Sequence, residues 1–202
     1  MSINETSPHP DHAQPRTIVF VAYPQMGLLD LTGAQTVFWV ANKAMTERGL
    51  PGYALHTASL TGGEIQSAEG LVVQSRKLSD FDNNPVDTLI VPGSPSIRQI
   101  LAESTALVDW LRQASATATR TASVCSGTFL LAQAGLLDGR RAATHWVMAE
   151  WFERLFPQVE LDQEAIFVQQ QSVWTSAGIS AGIDLALALV EADGGREVAM
   201  QV

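Results

Sequence analysis

The sequence predicts an α/β domain, built on a mostly parallel sheet that helices cover on both faces. Short apolar runs rich in β-branched residues alternate with segments of helical periodicity, and these runs have no polar face. The chain has 202 residues, of which 46% are hydrophobic and 16% charged. A chain of this length and composition can bury a sizeable core, so we expect one compact domain.

The expected elements follow the chain in a regular order. The first half has, in turn, a buried strand over 17–22, a helix over 33–48, a strand over 53–58, a polar hairpin over 64–66 and 71–74, and a buried strand over 87–91. The second half has a helix over 104–117, a strand over 121–124, helices over 127–134 and 147–155, paired strands over 165–168 and 172–175, and a helix over 180–192. Thr32 and Gln35 form a capping-box pattern at the start of the first helix.

The two ends of the chain differ in character. Residues 1–16 carry three prolines and no apolar periodicity, so a disordered leader is expected there, followed by a single domain over 17–202. The leader lacks the apolar segment of a secretory signal, which predicts a cytoplasmic protein. A helical pattern begins at Arg196 and stops at Val202, so we expect the chain to be cut before a further C-terminal domain.

Charge and composition exclude several classes of function. Twelve Lys and Arg against twenty-one Asp and Glu give a net charge of -9, which disfavours direct binding to nucleic acid. The sequence contains no run of about 18 apolar residues, so no membrane span is predicted. One cysteine cannot form an internal disulfide or a four-cysteine zinc site, and the histidines fit no ligand spacing. We therefore expect no metal and no other cofactor.

The single cysteine, Cys125, lies between a predicted strand and a predicted helix. In α/β folds, a nucleophile in such a sharp turn is displayed at the carboxyl end of the sheet. The following helix is expected to point its N–H groups and positive dipole end at the sulfur, which favours the thiolate. Ser126 and Gly127 are small enough for a tight turn. Because free cysteine is among the most buried residue types, a structural cysteine is the alternative.

Three other segments supply candidate partners for Cys125. Asp30 precedes the first predicted helix, where its alternative role is to stabilise the start of that helix. His145 is a second candidate, and its alternative role is to pack beside Trp146. Gly93 follows a buried strand and could offer its backbone N–H to an anion beside the cysteine.

Taken together, these segments resemble the DJ-1/PfpI superfamily. The resemblance runs from about Thr17 to Val202 and is carried by LDLTG (29–33), VPG (91–93), SVCSG (123–127), AGLLDGRR (134–141), ATHW (143–146) and SAGISAGID (176–184). It implies a three-layer α/β/α sandwich of the flavodoxin-like, class I glutamine-amidotransferase-like type. A Cys-His dipeptide at the turn would resemble PfpI-type peptidases, but here Ser126 follows Cys125. Glyoxalase-like chemistry, as in the DJ-1 branch, is a minor alternative.

Two branches of the superfamily resemble this sequence, and they imply different functions. The segment VWTSAG (173–178), followed by LALALVEAD (185–193), is closer to the amino-terminal, ligand-sensing domain of AraC-type (GlxA-like) transcription regulators. Such a domain is not an enzyme, and its DNA contacts come from a C-terminal helix-turn-helix domain. The other branch is isonitrile hydratase, in which Cys125 would be the nucleophile and Asp30 the acid or base.

Both branches imply the same ligand pocket, and both imply that the chain forms a homodimer. The expected pocket residues are Asp30, Gly93, Ser94, Cys125, Ser126 and His145. The expected partners are an unidentified small-molecule effector and a second copy of the chain, with DNA contacted only through the absent domain. Apolar residues that could contribute to a homodimer interface are Trp39, Met148 and Trp151.

Overall fold

The computed structural model describes residues 14–202 of the chain. Its strands are β1 (Arg16–Val21), β2 (Tyr53–Ser59), β3 (Gly63–Gln66), β4 (Val72–Lys77), β5 (Thr88–Val91), β6 (Arg120–Ser123), β7 (Arg141–Ala142), β8 (Glu160–Leu161), β9 (Phe167–Gln170) and β10 (Val173–Ser176). Its helices are α1 (Leu28–Glu47), α2 (Ile97–Glu103), α3 (Thr105–Ser115), α4 (Thr128–Gln133), α5 (Ala149–Leu155), α6 (Ile179–Gly194) and α7 (Arg196–Ala199). Short 3-10 turns occupy Leu78–Phe81, Cys125–Gly127 and Trp146–Met148.

An eight-stranded sheet forms the centre of the domain. Its strand order is β3-β4-β2-β1-β5-β6-β10-β9, and β7 pairs separately with β8. The five inner pairs of the large sheet are parallel, whereas β3–β4 and β9–β10 at its two edges are antiparallel. Every residue of β5 is buried, because helices cover both faces of its part of the sheet. The predicted mostly parallel sheet is confirmed.

Helices flank the sheet, as the sequence predicted. α1 packs against α6, and α7 packs against both of them, while α4 contacts α2 and α3. The inward face of α1 repeats apolar residues at intervals of three and four, which is the spacing of one helix face. These buried residues are Ala34, Val37, Phe38, Ala41, Ala44 and Met45. Phe38 meets Phe20 of β1 edge to face, with 6.2 Å between ring centroids.

The start of the domain differs slightly from the predicted boundary. β1 begins at Arg16, whose backbone N–H donates to the Gly52 carbonyl at 2.9 Å. The last residue of the predicted leader is therefore part of the sheet. The rest of that predicted leader falls mostly on residues 1–13, which lie outside the described residues.

The first helix begins five residues earlier than predicted. α1 starts at Leu28, so the capping box predicted at Thr32 is wrong. Thr32 lies inside the helix, where its Oγ1 donates to the Leu28 carbonyl at 2.9 Å. The first helical N–H, from Leu28, is satisfied instead by the carboxylate of Glu69 in the turn before β4, at 3.0 Å. A side chain 41 positions away thus replaces the local cap.

α2 is the one helix of the described part that the sequence pattern did not predict. It has only seven residues and follows Pro95 closely, so it offers too short an apolar repeat to recognise. The other predicted elements are present with shifted ends. For example, the predicted helix over 147–155 is a 3-10 turn followed by α5.

The strand order creates a place for a site at one edge of the sheet. The chain moves from β1 to β2 in one direction across the sheet, and from β5 to β6 in the other. β1 and β5 are neighbours, so the order reverses between them, and ligands bind α/β sheets outside the carboxyl ends of strands at such a point. The loops after β1, β5 and β6 all meet at this edge.

Within residues 14–202, the helices are too short or too polar to cross a membrane.

Candidate functional site

Cys125 occupies a strained turn directly after β6. Its φ is 58°, in the left-handed region that non-glycine residues seldom adopt, at a cost of about 1–3 kcal/mol. Two hydroxyl groups hold the turn, because Thr128 Oγ1 and Thr144 Oγ1 both donate to the Cys125 carbonyl, at 3.2 and 3.1 Å. The side chain is half-buried and in no disulfide. Cys125 therefore lies in a short 3-10 turn between β6 and α4.

Two glycines allow the loops around Cys125 to pack closely. A Cβ at Gly127 would overlap the carbonyl oxygen of Val91. A Cβ at Gly93 would lie 2.7 Å from Ser126 Oγ and 2.8 Å from Asp30 Oδ2. Both positions therefore require glycine for lack of space, which explains its presence in the Pro-Gly and Cys-x-Gly segments.

Asp30 is the buried acid of this site. It lies in the first turn of α1 and is only 4% exposed. Its Oδ2 accepts the backbone N–H of Gly93 at 2.9 Å. Burial raises the pKa of Asp30 to about 6, although the Gly93 N–H and the facing Cys125 thiol each lower it. Asp30 therefore does more than favour a helix start, which was the alternative interpretation.

The Cys125 thiol is held in its protonated form. Burial and, second, the negative charge of Asp30 raise the pKa of Cys125 to about 12, against the opposing effect of the Ser126 N–H. The Ser126 N–H at the start of the helical turn does favour the thiolate, as predicted, but other effects outweigh it. α4 has only six residues, so its dipole is small, and desolvation beside a carboxylate outweighs it.

The backbone N–H groups after β5 are already used. Gly93 N–H donates to Asp30, and Ser94 N–H donates to Ser126 Oγ at 2.8 Å. Ser126 Oγ in turn donates to the Ser94 carbonyl at 2.9 Å. The Gly93 N–H therefore donates to the Asp30 carboxylate beside Cys125, and its predicted role towards a bound anion stays a prediction. These bonds lock the loop after β5 to the turn after β6.

A cavity of 340 Å³ opens beside Cys125. It brings together five of the six predicted pocket residues, while Gly93 lies behind its wall, bonded to Asp30. The lining residues are Gly27, Leu29, Asp30, Glu69, Ser94, Pro95, Cys125, Ser126, His145, Val147, Met148 and Ile179. This volume and its mostly apolar wall are typical of small-molecule sites.

His145 forms part of the cavity wall. It also packs beside Trp146, which was the alternative role considered for it. Its ring stacks on Trp146, with 5.7 Å between centroids. Its Nδ1 accepts the Val147 N–H at 3.3 Å, which leaves Nε2 as the ring nitrogen that carries the proton in the neutral form. His145 therefore lines the cavity with its ring already oriented by the backbone.

Glu69 is the site residue that sequence reasoning missed. It comes from the turn between β3 and β4, caps α1 at Leu28 and lines the cavity. Its charge contributes to the raised pKa of Asp30. A single glutamate before a glycine in a polar hairpin carries no local signal of such a role, since only the fold brings it to α1.

No metal site is evident in the described part of the chain. Within residues 14–202, the His, Cys, Asp and Glu side chains do not gather in groups of three that could hold a metal ion.

A family model matches most of this chain. The model of the DJ-1/PfpI family covers residues 16–192, which include every residue that lines the cavity. The chain belongs to the DJ-1/PfpI family. The matched segment spans the sheet, the Cys125 turn and α1, so the resemblance seen in the sequence is confirmed at the level of the family.

The curated relatives of this chain include transcription regulators and an enzyme. The chain is 31% identical to the HTH-type transcriptional regulator CdhR of Pseudomonas aeruginosa, over 91% of this chain and 52% of that protein. It is 33% identical to the isonitrile hydratase of Pseudomonas putida, over 86% of this chain and 70% of that enzyme. The chain thus spans about half the length of the regulator it matches.

Solved structures share the fold of this DJ-1/PfpI domain. An AraC family transcriptional regulator from Pseudomonas putida superposes with a TM-score of 0.76 at 20% identity, covering 92% of this chain and 96% of that one. At this identity the likeness shows the fold alone. The predicted flavodoxin-like, three-layer architecture is confirmed.

Proposed function

We propose that this DJ-1/PfpI domain is the ligand-sensing and dimerisation domain of an AraC-family transcription regulator, with DNA bound by a C-terminal helix-turn-helix domain. The observation that carries the proposal is the pattern of coverage. The match to the regulator CdhR takes in 91% of this chain but only 52% of that protein. A second HTH-type regulator, GbdR of Pseudomonas aeruginosa, gives the same pattern, with 96% and 51%.

The charge of the chain supports the proposal that this domain senses the ligand and another domain binds DNA. At a net charge of -9, the chain lacks the clustered positive charge that phosphate contacts need. A regulator built from this chain would therefore bind DNA through another part of the protein. The proposal includes a cytoplasmic location, because such a regulator acts on DNA there.

The cavity beside Cys125 supports a sensing role. It is concave, mostly apolar and has a few fixed polar groups, which suits the recognition of a small effector. Asp30, Cys125, Ser126, Ser94 and His145 are the proposed contact residues. The high pKa of the Cys125 thiol suits a binding residue better than a nucleophile.

An electrophoretic mobility shift assay tests the division between sensing and DNA binding. At physiological salt, the 202-residue chain is expected to leave operator DNA unshifted, whereas the protein encoded by the complete reading frame shifts it. Retardation of the same operator by the 202-residue chain alone would contradict the proposal.

Dimerisation is the second part of the proposal. Trp39 on α1 is 69% exposed, so it is available to a second copy. Trp151, by contrast, stacks on Phe129 at 4.6 Å and lies under Arg98, and Met148 lines the cavity. Of the three candidate interface residues, Trp39 is therefore the one that best suits a dimer contact.

An isonitrile hydratase-like activity is the second candidate function. It is favoured by the 33% identity to a hydratase of which this chain covers 70%, and by the acid facing the Cys125 thiol. In that reaction the thiol would give its proton to Asp30, the sulfur would attack the isonitrile carbon, and Asp30 would return the proton to that carbon to give a thioimidate. Water would then add to the thioimidate carbon, and cleavage of the C–S bond would release an N-substituted formamide and restore the thiol. A hydration rate of cyclohexyl isocyanide that disappears in Cys125→Ala would favour this candidate over the sensor.

A further inference from the structure

The charged groups of the cavity all have the same sign. Asp30 and Glu69 are the acids that line it, and in the part of the chain that the structure describes no lysine or arginine joins them. Both carboxylates line the same cavity. They are close enough for the negative charge of Glu69 to disfavour ionisation of Asp30. A ligand in this cavity therefore lies beside two carboxylates and no lysine or arginine, which makes the local potential negative.

Both carboxylates are held in place by backbone groups. Asp30 Oδ2 accepts the Gly93 N–H at 2.9 Å, and both Glu69 oxygens lie 3.0 Å from the Leu28 nitrogen. Each carboxylate keeps further lone pairs for another donor. The two acids are thus a preorganised acceptor pair at the first turn of α1.

The cavity offers little to an anion. The Gly93 and Ser94 N–H groups, which could have received one, already donate to Asp30 and to Ser126. An anionic ligand would also lie against two carboxylates without a compensating cation. Anionic effectors are therefore disfavoured by charge, and the backbone donors after β5 are not free to bind them, which leaves the His145 ring N–H as a side-chain donor.

Much of the remaining wall is apolar. Five lining residues can pack against a hydrocarbon body but cannot hydrogen-bond through their side chains, namely Leu29, Pro95, Val147, Met148 and Ile179. A hydrated metal ion would gain nothing from these walls, whereas an organic molecule would lose its apolar surface from water there. The cavity therefore combines an acidic end with an apolar body.

We propose that the cavity binds a small organic ammonium ion, with its charged group at Asp30 and Glu69 and its apolar body against the remaining wall. An –NH₃⁺ group has three donors and no acceptor, which matches two carboxylates that can only accept. This inference rests on the proposed function, because it takes the cavity to be a ligand site.

Three probes of similar shape and different charge test the proposal. Benzylammonium, benzyl alcohol and benzoate are titrated into the 202-residue chain at pH 7.5 and 150 mM salt, with binding followed by isothermal calorimetry and by amide NMR shifts. We expect benzylammonium to bind about tenfold or more tightly than benzyl alcohol, because a charge-assisted hydrogen bond adds to the same apolar contact. Benzoate should bind more weakly than both.

Variants locate the preference in the cavity. Asp30→Asn and Glu69→Gln are each expected to reduce the preference for benzylammonium over benzyl alcohol several-fold. Glu164→Gln removes one negative charge from an exposed position away from the cavity and should leave the preference intact, which controls for attraction to the acidic chain as a whole. Glu69 is exposed, so its variant tests the proposal even if the variant at buried Asp30 folds poorly.

Several results would overturn the inference. They are equal binding of the amine and the alcohol, tighter binding of benzoate, an unchanged preference in both cavity variants, and no binding of any probe. None of them bears on whether the complete protein shifts operator DNA, so the proposed regulatory function is tested separately.

Discussion

Replacing Arg120 with methionine is expected to lower the free energy of unfolding by about 3–5 kcal/mol. Arg120 begins β6 and is only 9% exposed. Its guanidinium donates to Asp87 at 2.8 Å and to Asp193 near the end of α6 at 2.9 and 3.0 Å, and also to the Thr88 hydroxyl. Removal of Arg120 takes a cation away from both carboxylates in a largely buried setting, although Asp193 keeps Arg16 and the Tyr53 hydroxyl. Such a loss costs more than the ion pair itself contributes.

Urea denaturation of the wild type and of Arg120→Met measures this loss. Arg154→Met is the matched control, because Arg154 is an exposed arginine whose pair with Glu150 lies on the surface of α5. That control should change the free energy of unfolding by less than about 1 kcal/mol. If both variants unfold at the same urea concentration, the Arg120 cluster does not have the stabilising role that its burial indicates.

Asp30→Asn is expected to increase the alkylation rate of Cys125 by about tenfold or more at pH 8. The pKa of Cys125 is raised first by burial and next by the charge of Asp30. Asparagine keeps the size and an oxygen for the Gly93 N–H but carries no charge, so the thiol pKa falls and more thiolate is present. The sign is set by charge, since a neighbouring carboxylate disfavours a second anion.

The rate with iodoacetamide reports this site directly, because the chain contains one cysteine. The pH dependence adds a second criterion. Asp30 has a pKa of about 6, so it is mostly protonated below that pH, and the ratio of the two rates should fall towards one there. Glu164→Gln, which changes the net charge equally, should alkylate as the wild type does. A slower reaction in Asp30→Asn would mean that the carboxylate promotes the thiolate.

The sheet could be predicted from the sequence because most of its inner strands are recognisable from their local residue pattern. β1 and β5 are short, mostly apolar runs bounded by loop residues, and their buried parts have no polar side because both faces of the sheet are covered. The place of Cys125 between a strand and a helix also followed from the sequence, because a strand pattern ends directly at Cys125 and a helical pattern follows. The position of Asp30 near Cys125 followed from the resemblance to the family and not from spacing.

The parts that sequence reasoning missed depend on distant contacts. The first N–H of α1 is capped by Glu69, which lies in the turn before β4. Because Glu69 is distant in the sequence, no local pattern predicts this cap. The protonated state of Cys125 was missed for a similar reason. The small dipole of α4 is a local property, whereas the desolvation that overrides it arises from loops that meet only in the fold.

The most direct test of the sensing role compares two tryptophan variants of the complete protein in a transcription assay. Ile179→Trp fills the mouth of the cavity from the first residue of α6, at a position that is already 46% exposed. Ile166→Trp adds the same bulk at another exposed position, one that does not line the cavity. Transcription from the operator is measured under inducing and non-inducing growth conditions. The proposed function predicts that Ile179→Trp loses the difference between the two conditions while Ile166→Trp retains it. A full response in Ile179→Trp would contradict the assignment of this cavity as the sensing site.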